Sequence, residues 1–111
     1  MIFITQGRYT REAMAGMIAS PEDRGREAKK LIEAAGGKLL GSYFTFGEYD
    51  FIVISEFDDL NAVTPALIAA AAGGSLTDVR TTIGMKWSDG RDAFEKAQPL
   101  AASFKSAGRK K

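Results

Sequence analysis

Residues 38–57 read KLLGSYFTFGEYDFIVISEF, two apolar runs parted by the four-residue break Gly47-Glu48-Tyr49-Asp50. β-branched and aromatic residues on both sides of so short a polar, glycine-containing segment predict a hairpin, with strands over 38–46 and 51–57. In that turn Gly47 is expected to supply a positive φ, and Asp50 a side-chain bond to nearby backbone. Upstream, Ala28, Leu31, Ile32 and Ala35 form one apolar stripe at helical spacing, stopped by Gly36-Gly37. Ser20-Pro21-Glu22-Asp23 offers a start for it, with Ser20 as cap and Pro21 in the first helical position. Thr10 caps an earlier stretch carrying Ala13, Met14, Met17 and Ile18, so these segments read as one long helix with a jog. Before it, Ile2 to Gln6 is a first strand stopped by Gly7.

Downstream of the hairpin, Asp58 and Asp59 can cap an Ala-rich helix over 62–72 that ends at Gly73-Gly74. Pro65 either kinks this helix or is its first residue after a Thr64 cap. Residues 76–87 return to period two, with Val79, Thr81, Ile83, Met85 and Trp87 on one face. Ser88-Asp89-Gly90 breaks the strand, and 91–98 is a short helix before Pro99. Strand, helix, strand, strand, helix, strand, joined by right-handed crossovers, predicts an α+β, ferredoxin-like βαββαβ fold: a four-stranded antiparallel sheet with two helices on one face. The division expected is a domain over 1–88 and a C-terminal extension over 89–111, a short helix followed by the flexible basic tail Arg109-Lys110-Lys111.

The chain has 111 residues, no Cys, no His, and 15 Lys+Arg against 14 Asp+Glu. A chain of this length buries roughly 65% of its unfolded surface, enough for one core. Without His or Cys, Ser-His-Asp and Cys-His nucleophiles, disulfides, Cys/His zinc sites and a proximal haem histidine are excluded within one subunit. No acidic pair has a spacing that singles out a metal, and no glycine pattern cradles a phosphate, so no metal or cofactor is expected. A net charge of +1 with both signs dispersed gives no field for nucleic acid or an anionic membrane. No apolar run approaches the ~20 residues of a membrane span, and the N-terminus lacks the basic lead of a signal peptide; a cytoplasmic protein is the default expectation.

Phe51-Ile52-Val53-Ile54 and Ile2-Phe3-Ile4 do not alternate apolar with polar, as a strand with one wet face should. Both faces of the sheet middle are therefore expected to be covered. Two helices cover one; the other is closed either by a second copy in a homo-oligomer or by the C-terminal segment folding back with Phe94, Leu100 and Phe104. The first alternative is preferred, with Phe51, Val53 and Trp87 as interface residues.

At one sheet edge this topology gathers the end of the first strand, the hairpin and the start of the fourth strand. Arg8, Tyr9, Tyr49 and Asp50 are thus candidate ligand-binding residues around one cavity. Arg80, on the fourth strand, could hold a carboxylate bidentately or pair with Asp78 or Glu56. Each position also has a plain structural role, and Asp50 reads as a turn lock rather than a general base.

The turn Gly47-Glu48-Tyr49-Asp50, with Asp58-Asp59, the Ala-rich helix and Leu76-Thr77-Asp78-Val79-Arg80-Thr81, resembles the GYD-domain family of small bacterial and archaeal proteins. Tyr9-Thr10, Ser20-Pro21-Glu22-Asp23-Arg24 and the run from Lys30 to Leu39 agree, so that the likeness extends over residues 1–87. The resemblance implies a protein akin to the dimeric α+β barrels, and it brings no established catalytic residue. Three functions stay open: a homo-oligomer binding a small organic molecule between sheet and helices or at the subunit interface, a cofactor-independent monooxygenase- or isomerase-like enzyme using Tyr49, Asp50 and Arg80, and a purely structural assembly module.

Overall fold

Strand-forming and helix-forming segments alternate in the computed structural model, which describes residues 1–108, as β1 (Ile2–Tyr9), α1 (Arg11–Ala19), α2 (Arg24–Ala34), β2 (Lys38–Phe44), β3 (Phe51–Glu56), α3 (Leu60–Ala72), β4 (Leu76–Gly84) and α4 (Trp87–Ser103). The sheet runs β2-β3-β1-β4 with every pair antiparallel, the ferredoxin-like order. The basic tail expected at Arg109-Lys110-Lys111 lies outside the described residues. The core sits between the sheet and the pair α2 and α3, where Phe3, at 1% exposure, meets Phe57 edge-on at 6.1 Å beside Ile32, Val63 and Ala66.

Local capping chemistry places the helix ends. Thr10 Oγ1 accepts from the Ala13 N–H to start α1, and Asp59 does the same for Ala62 to start α3. Gly36, at φ +88, takes the left-handed position after α2; its N–H bonds Glu33 and that of Gly37 bonds Ile32, satisfying two orphan carbonyls.

Several expectations are corrected. The long jogged helix is two helices, because Pro21 keeps Ser20 out of helical geometry (φ −141, ψ 82) and Asp23, not Ser20, caps α2 through the Gly25 N–H. Pro65 lies within α3, past an Asp59 cap, where Thr64 Oγ1 bonds the Leu60 carbonyl at 2.6 Å. β1 runs through Gly7 to Tyr9, the glycine leaving room for the Phe51 ring: a Cβ there would stand 2.7 Å from Phe51 Cζ. Gly47 has no left-handed φ and open space around it, so the turn does not demand glycine there. Left-handed residues near that edge are Gly74 (φ 75), after α3, and Asp78 (φ 54), at a bulge where three steps of β4 match two of β1 between Gln6 and Arg8.

The largest differences concern strand parity and the C-terminus. Phe51 and Val53 point into the helix-covered side, so neither belongs to the open face; there Ile4 lies opposite Ile54, with Ile2 and Ile52 beside them, all half-buried. In a strand apolar on both sides, local sequence carries no signal for which residues face which side. Trp87 does not end β4 either: the strand stops at Gly84, and Trp87 opens α4, which continues through Gly90 and Pro99. The boundary expected after residue 88 therefore falls inside a helix. α4 buries no residue and does not fold back over the sheet; it stretches the molecule to 63 Å, with a radius of gyration of 18.4 Å where about 13 Å would suit a compact chain of this length.

A Cβ at Gly37 would stand 2.5 Å from the Phe57 ring, whereas one at Gly47 would meet nothing within 4 Å. Gly37→Ala should therefore destabilise by about 1–3 kcal/mol, and Gly47→Ala should leave stability nearly unchanged. Urea unfolding of the two variants beside wild type checks this, and equal midpoints for both variants would contradict the packing described.

Candidate functional site

The helix layer does not seal against the sheet. α1 buries no residue, and α2 and α3 lean on the sheet in such a way that a cleft of about 540 Å³ remains between the layers. Its apolar walls include Phe51 and Val53 of β3, Leu31 of α2 and Leu67 of α3. Polar groups enter from Tyr9 at the end of β1, from Glu22 and Asp23 just before α2, from Arg24 and Glu27 of α2, and from Ser42 of β2. Ser55, a buried polar residue at 4% exposure, lines it from β3.

Of the residues expected to share a cavity, Tyr9 alone lines it. The cause is again parity along β1, where Tyr9 follows Phe3, Thr5 and Gly7 on the helix side while Arg8 follows Ile4 and Gln6 on the other. Arg80 is exposed on that same open side, opposite Gln6, and forms no ion pair among the described residues, with Asp78 and Glu56 included. Tyr49 is half-buried in the hairpin, where its carbonyl accepts from Thr45 Oγ1 at 2.6 Å.

Asp50 has a structural partner that sequence reasoning sought in the wrong place. Its Oδ2 accepts from the Tyr9 N–H at 2.9 Å, across 41 residues, rather than from the turn itself. Its own N–H bonds the Gly7 carbonyl at 2.8 Å, and its carbonyl accepts from the Thr45 N–H at 2.8 Å. The hairpin is thereby tied to β1 where the Tyr9 and Phe51 rings lie 5.2 Å apart. A carboxylate spent on a backbone N–H is poorly placed to take a proton from a substrate.

Burial raises the Tyr9 phenol above its ordinary value; the nearby Arg24 guanidinium opposes the shift and Asp50 adds to it. Arg24 is itself paired with Glu22 at 2.9 Å in a partly exposed position. Together Tyr9 and the Arg24–Glu22 pair, with Asp23 and Glu27 beside them, give the apolar cleft a hydrogen-bonding, charged corner. Arg24, Ser42 and Ser55 were not singled out as site residues by the sequence; the one local signal was Arg24 ending the Ser20-Pro21-Glu22-Asp23 segment. Among the described residues no group of three or more Asp or Glu is placed to hold a metal ion, and no helix is long and apolar enough to cross a membrane.

No curated protein matches the chain. Among solved structures, the crystal structure of FFRP-DM1 is 20% identical with a TM-score of 0.46, the match covering 76% of this chain and 97% of that one. Hypothetical protein PHS023 from Pyrococcus horikoshii is 21% identical (TM-score 0.46, 78% and 92% covered), and TTHA0845 from Thermus thermophilus is 12% identical (TM-score 0.47, 77% and 92%). The pattern of the GYD domain matches residues 3–94, from the first residues of β1 to the middle of α4. With that match running through the whole sheet and the hairpin that ties it to β1, the chain belongs to the GYD domain family.

Proposed function

We propose that this protein is a small homo-oligomeric binding module whose cleft takes up an organic molecule with an apolar body and a polar end. The cleft itself carries this reading: about 540 Å³ lies within the range of small-molecule sites, and the walls combine a mostly apolar surface with a charged and hydrogen-bonding minority. A well-packed core of this size would leave no such gap. Tyr9 and Arg24 are placed to bind the polar end, and Phe51 and Val53 to line the body. Self-association is supported by the fifteen large hydrophobic side chains left exposed among the described residues, and by the isoleucines of the open sheet face. The enzyme alternative gains nothing from the geometry, since Asp50 is engaged with backbone, Tyr49 does not line the cleft and Arg80 lies on the opposite side of the sheet.

Native mass spectrometry of protein purified from its own cells is expected to show an oligomer carrying a noncovalent small molecule. Ala70→Trp, which fills the cleft from α3, should lose the small molecule and keep the oligomer. Bound mass that survives Ala70→Trp would place the ligand elsewhere, and wild type without any adduct would count against the binding reading.

Asp50→Ala leaves the half-buried Tyr9 N–H without its acceptor, so a loss of about 1–3 kcal/mol in chemical unfolding is expected. Retention of the bound molecule by this variant separates a structural Asp50 from a catalytic or ligand-binding one.

The raised Tyr9 pKa also has a sign. A phenol that holds its proton more tightly when folded contributes stability below the unfolded value of ~10, and that contribution is lost as pH climbs through the folded value. In an ultraviolet titration a phenolate that appears above the ordinary tyrosine range should be missing from Tyr9→Phe. The variant should also lose less stability than wild type above pH ~10.

A further inference from the structure

We infer that α4 is an arm that pairs with the α4 of a second copy of this chain, antiparallel, about a two-fold axis passing between the positions of Glu95 and Lys96. This surface is distinct from the cleft and from the open sheet face, and the inference stands whether or not either functions as proposed.

A first argument is that α4 cannot stand alone. It has 17 residues, contains Gly90 and Pro99, and buries none of its side chains against the body of its own subunit. Isolated helices of this length are marginal in water even with good helix formers, and an interior Pro and an interior Gly each weaken one further. Fold-back onto its own sheet is opposed by the connection, because Met85 and Lys86 alone separate β4 from α4. The chain exposes 8383 Å², against about 6,000 Å² for a compact monomer of its mass. That excess, roughly 2,400 Å² over the whole chain with the cleft and the open sheet face included, exceeds the ~800 Å² that each partner contributes to a standard interface.

The spacing along α4 then identifies the partner. Trp87, Gly90, Phe94, Ala97, Ala101 and Phe104 follow one another at intervals of three and four, a heptad seam within an arc of about 100°. Phe104 is the cap residue, and its N–H still bonds the Leu100 carbonyl, so it stays on the helical path. Trp87 (86% exposed), Phe94 (70%) and Phe104 (67%) are the large members. Charged residues such as Asp89, Asp92, Glu95 and Lys96 fall outside the arc, with Arg91 paired to Glu95 along the same helix at 3.5 Å.

Turned antiparallel on itself, this seam is size-matched. Phe94 of one helix meets Ala97 of the other, Gly90 meets Ala101, and Trp87 meets Phe104 as an aromatic pair at each end, all three pairings sharing one centre. The middle layers thus set one ring against one methyl, and the smallest pair lets the helices approach closely. A parallel pairing would instead stack Phe94 on Phe94 and leave Gly90 opposite Gly90, crowding one layer and emptying the next.

The chain has no Cys, so introduced thiols report without background. Gly90→Cys and Ala101→Cys chains, co-expressed and mildly oxidised, should give the mixed 90–101 disulfide as the main covalent dimer, about tenfold or more over either homodisulfide, because only that pair is within bonding reach. Asp92→Cys, outside the arc, serves as the background control. Adding Phe94→Glu to both chains should lower the mixed product at least about tenfold by placing carboxylates in the central layers. Dominant 90–90 and 101–101 disulfides would mean a parallel pair and overturn the proposal. A mixed yield no greater than the Asp92→Cys background, or one untouched by Phe94→Glu, would overturn it as well, and would leave α4 docked on another surface or unpaired.

Discussion

The bond from the Tyr9 N–H to the Asp50 carboxylate is the constraint from which the working end of this protein follows. β1 is a central strand, paired with β3 on one side and β4 on the other, and at its end the β4 ladder shifts register through the Asp78 bulge. An unpaired amide there would be a half-buried polar group without a partner. Asp50 provides that partner and, through its own N–H and carbonyl, fastens the hairpin to Gly7 and Thr45. With the hairpin fixed, the Phe51 ring settles over the missing side chain of Gly7 and against Tyr9. The position of Tyr9 in the cleft thus rests on backbone hydrogen bonding together with its ring contact to Phe51.

The cleft has an equally physical origin. One core cluster, built on Phe3, Ile32, Phe57, Val63 and Ala66, holds one end of the helix layer to the sheet. Toward the other end α3 offers only alanines before its Gly73 cap, and Pro21 separates α1 from α2, so the gap stays open with Met17 and Leu67 on its walls. The polar groups of this open end, Tyr9 and Arg24, come from the two elements that the Asp50 bond and the Asp23 cap respectively hold in place. The cleft and the imperfect packing are the same feature here.

Two separate apolar patches lie on the surface among the described residues. The sheet presents isoleucines on the side away from its helices, and α4 presents an aromatic seam well clear of the body. An isologous contact uses the same patch on both partners, so each surface can be judged by whether it complements itself. The α4 seam does so residue by residue, through its alternation of large and small side chains.

What the sequence determined by itself was local. Thr10 and Asp59 as caps, Gly36 as a left-handed stop, the order of strands and helices and the hairpin at Gly47-Glu48-Tyr49-Asp50 were all legible, because each depends on the conformational preferences of a few adjacent residues. Tertiary structure alone decided that Phe51 and Val53 face the helices and Ile52 and Ile54 do not, since a run apolar on both sides has no internal marker of parity. It alone decided that Gly7 is small for the sake of Phe51, that Asp50 bonds Tyr9 rather than its own turn, and that Arg24 rather than Arg8 borders the cleft. Trp87 belongs with these: read at the end of a period-two run it extended the strand, yet it begins a helix whose seam shows its pattern only over seventeen residues. In each case the deciding contact joins residues far apart in the chain or spans several turns, and short-range preference cannot encode it.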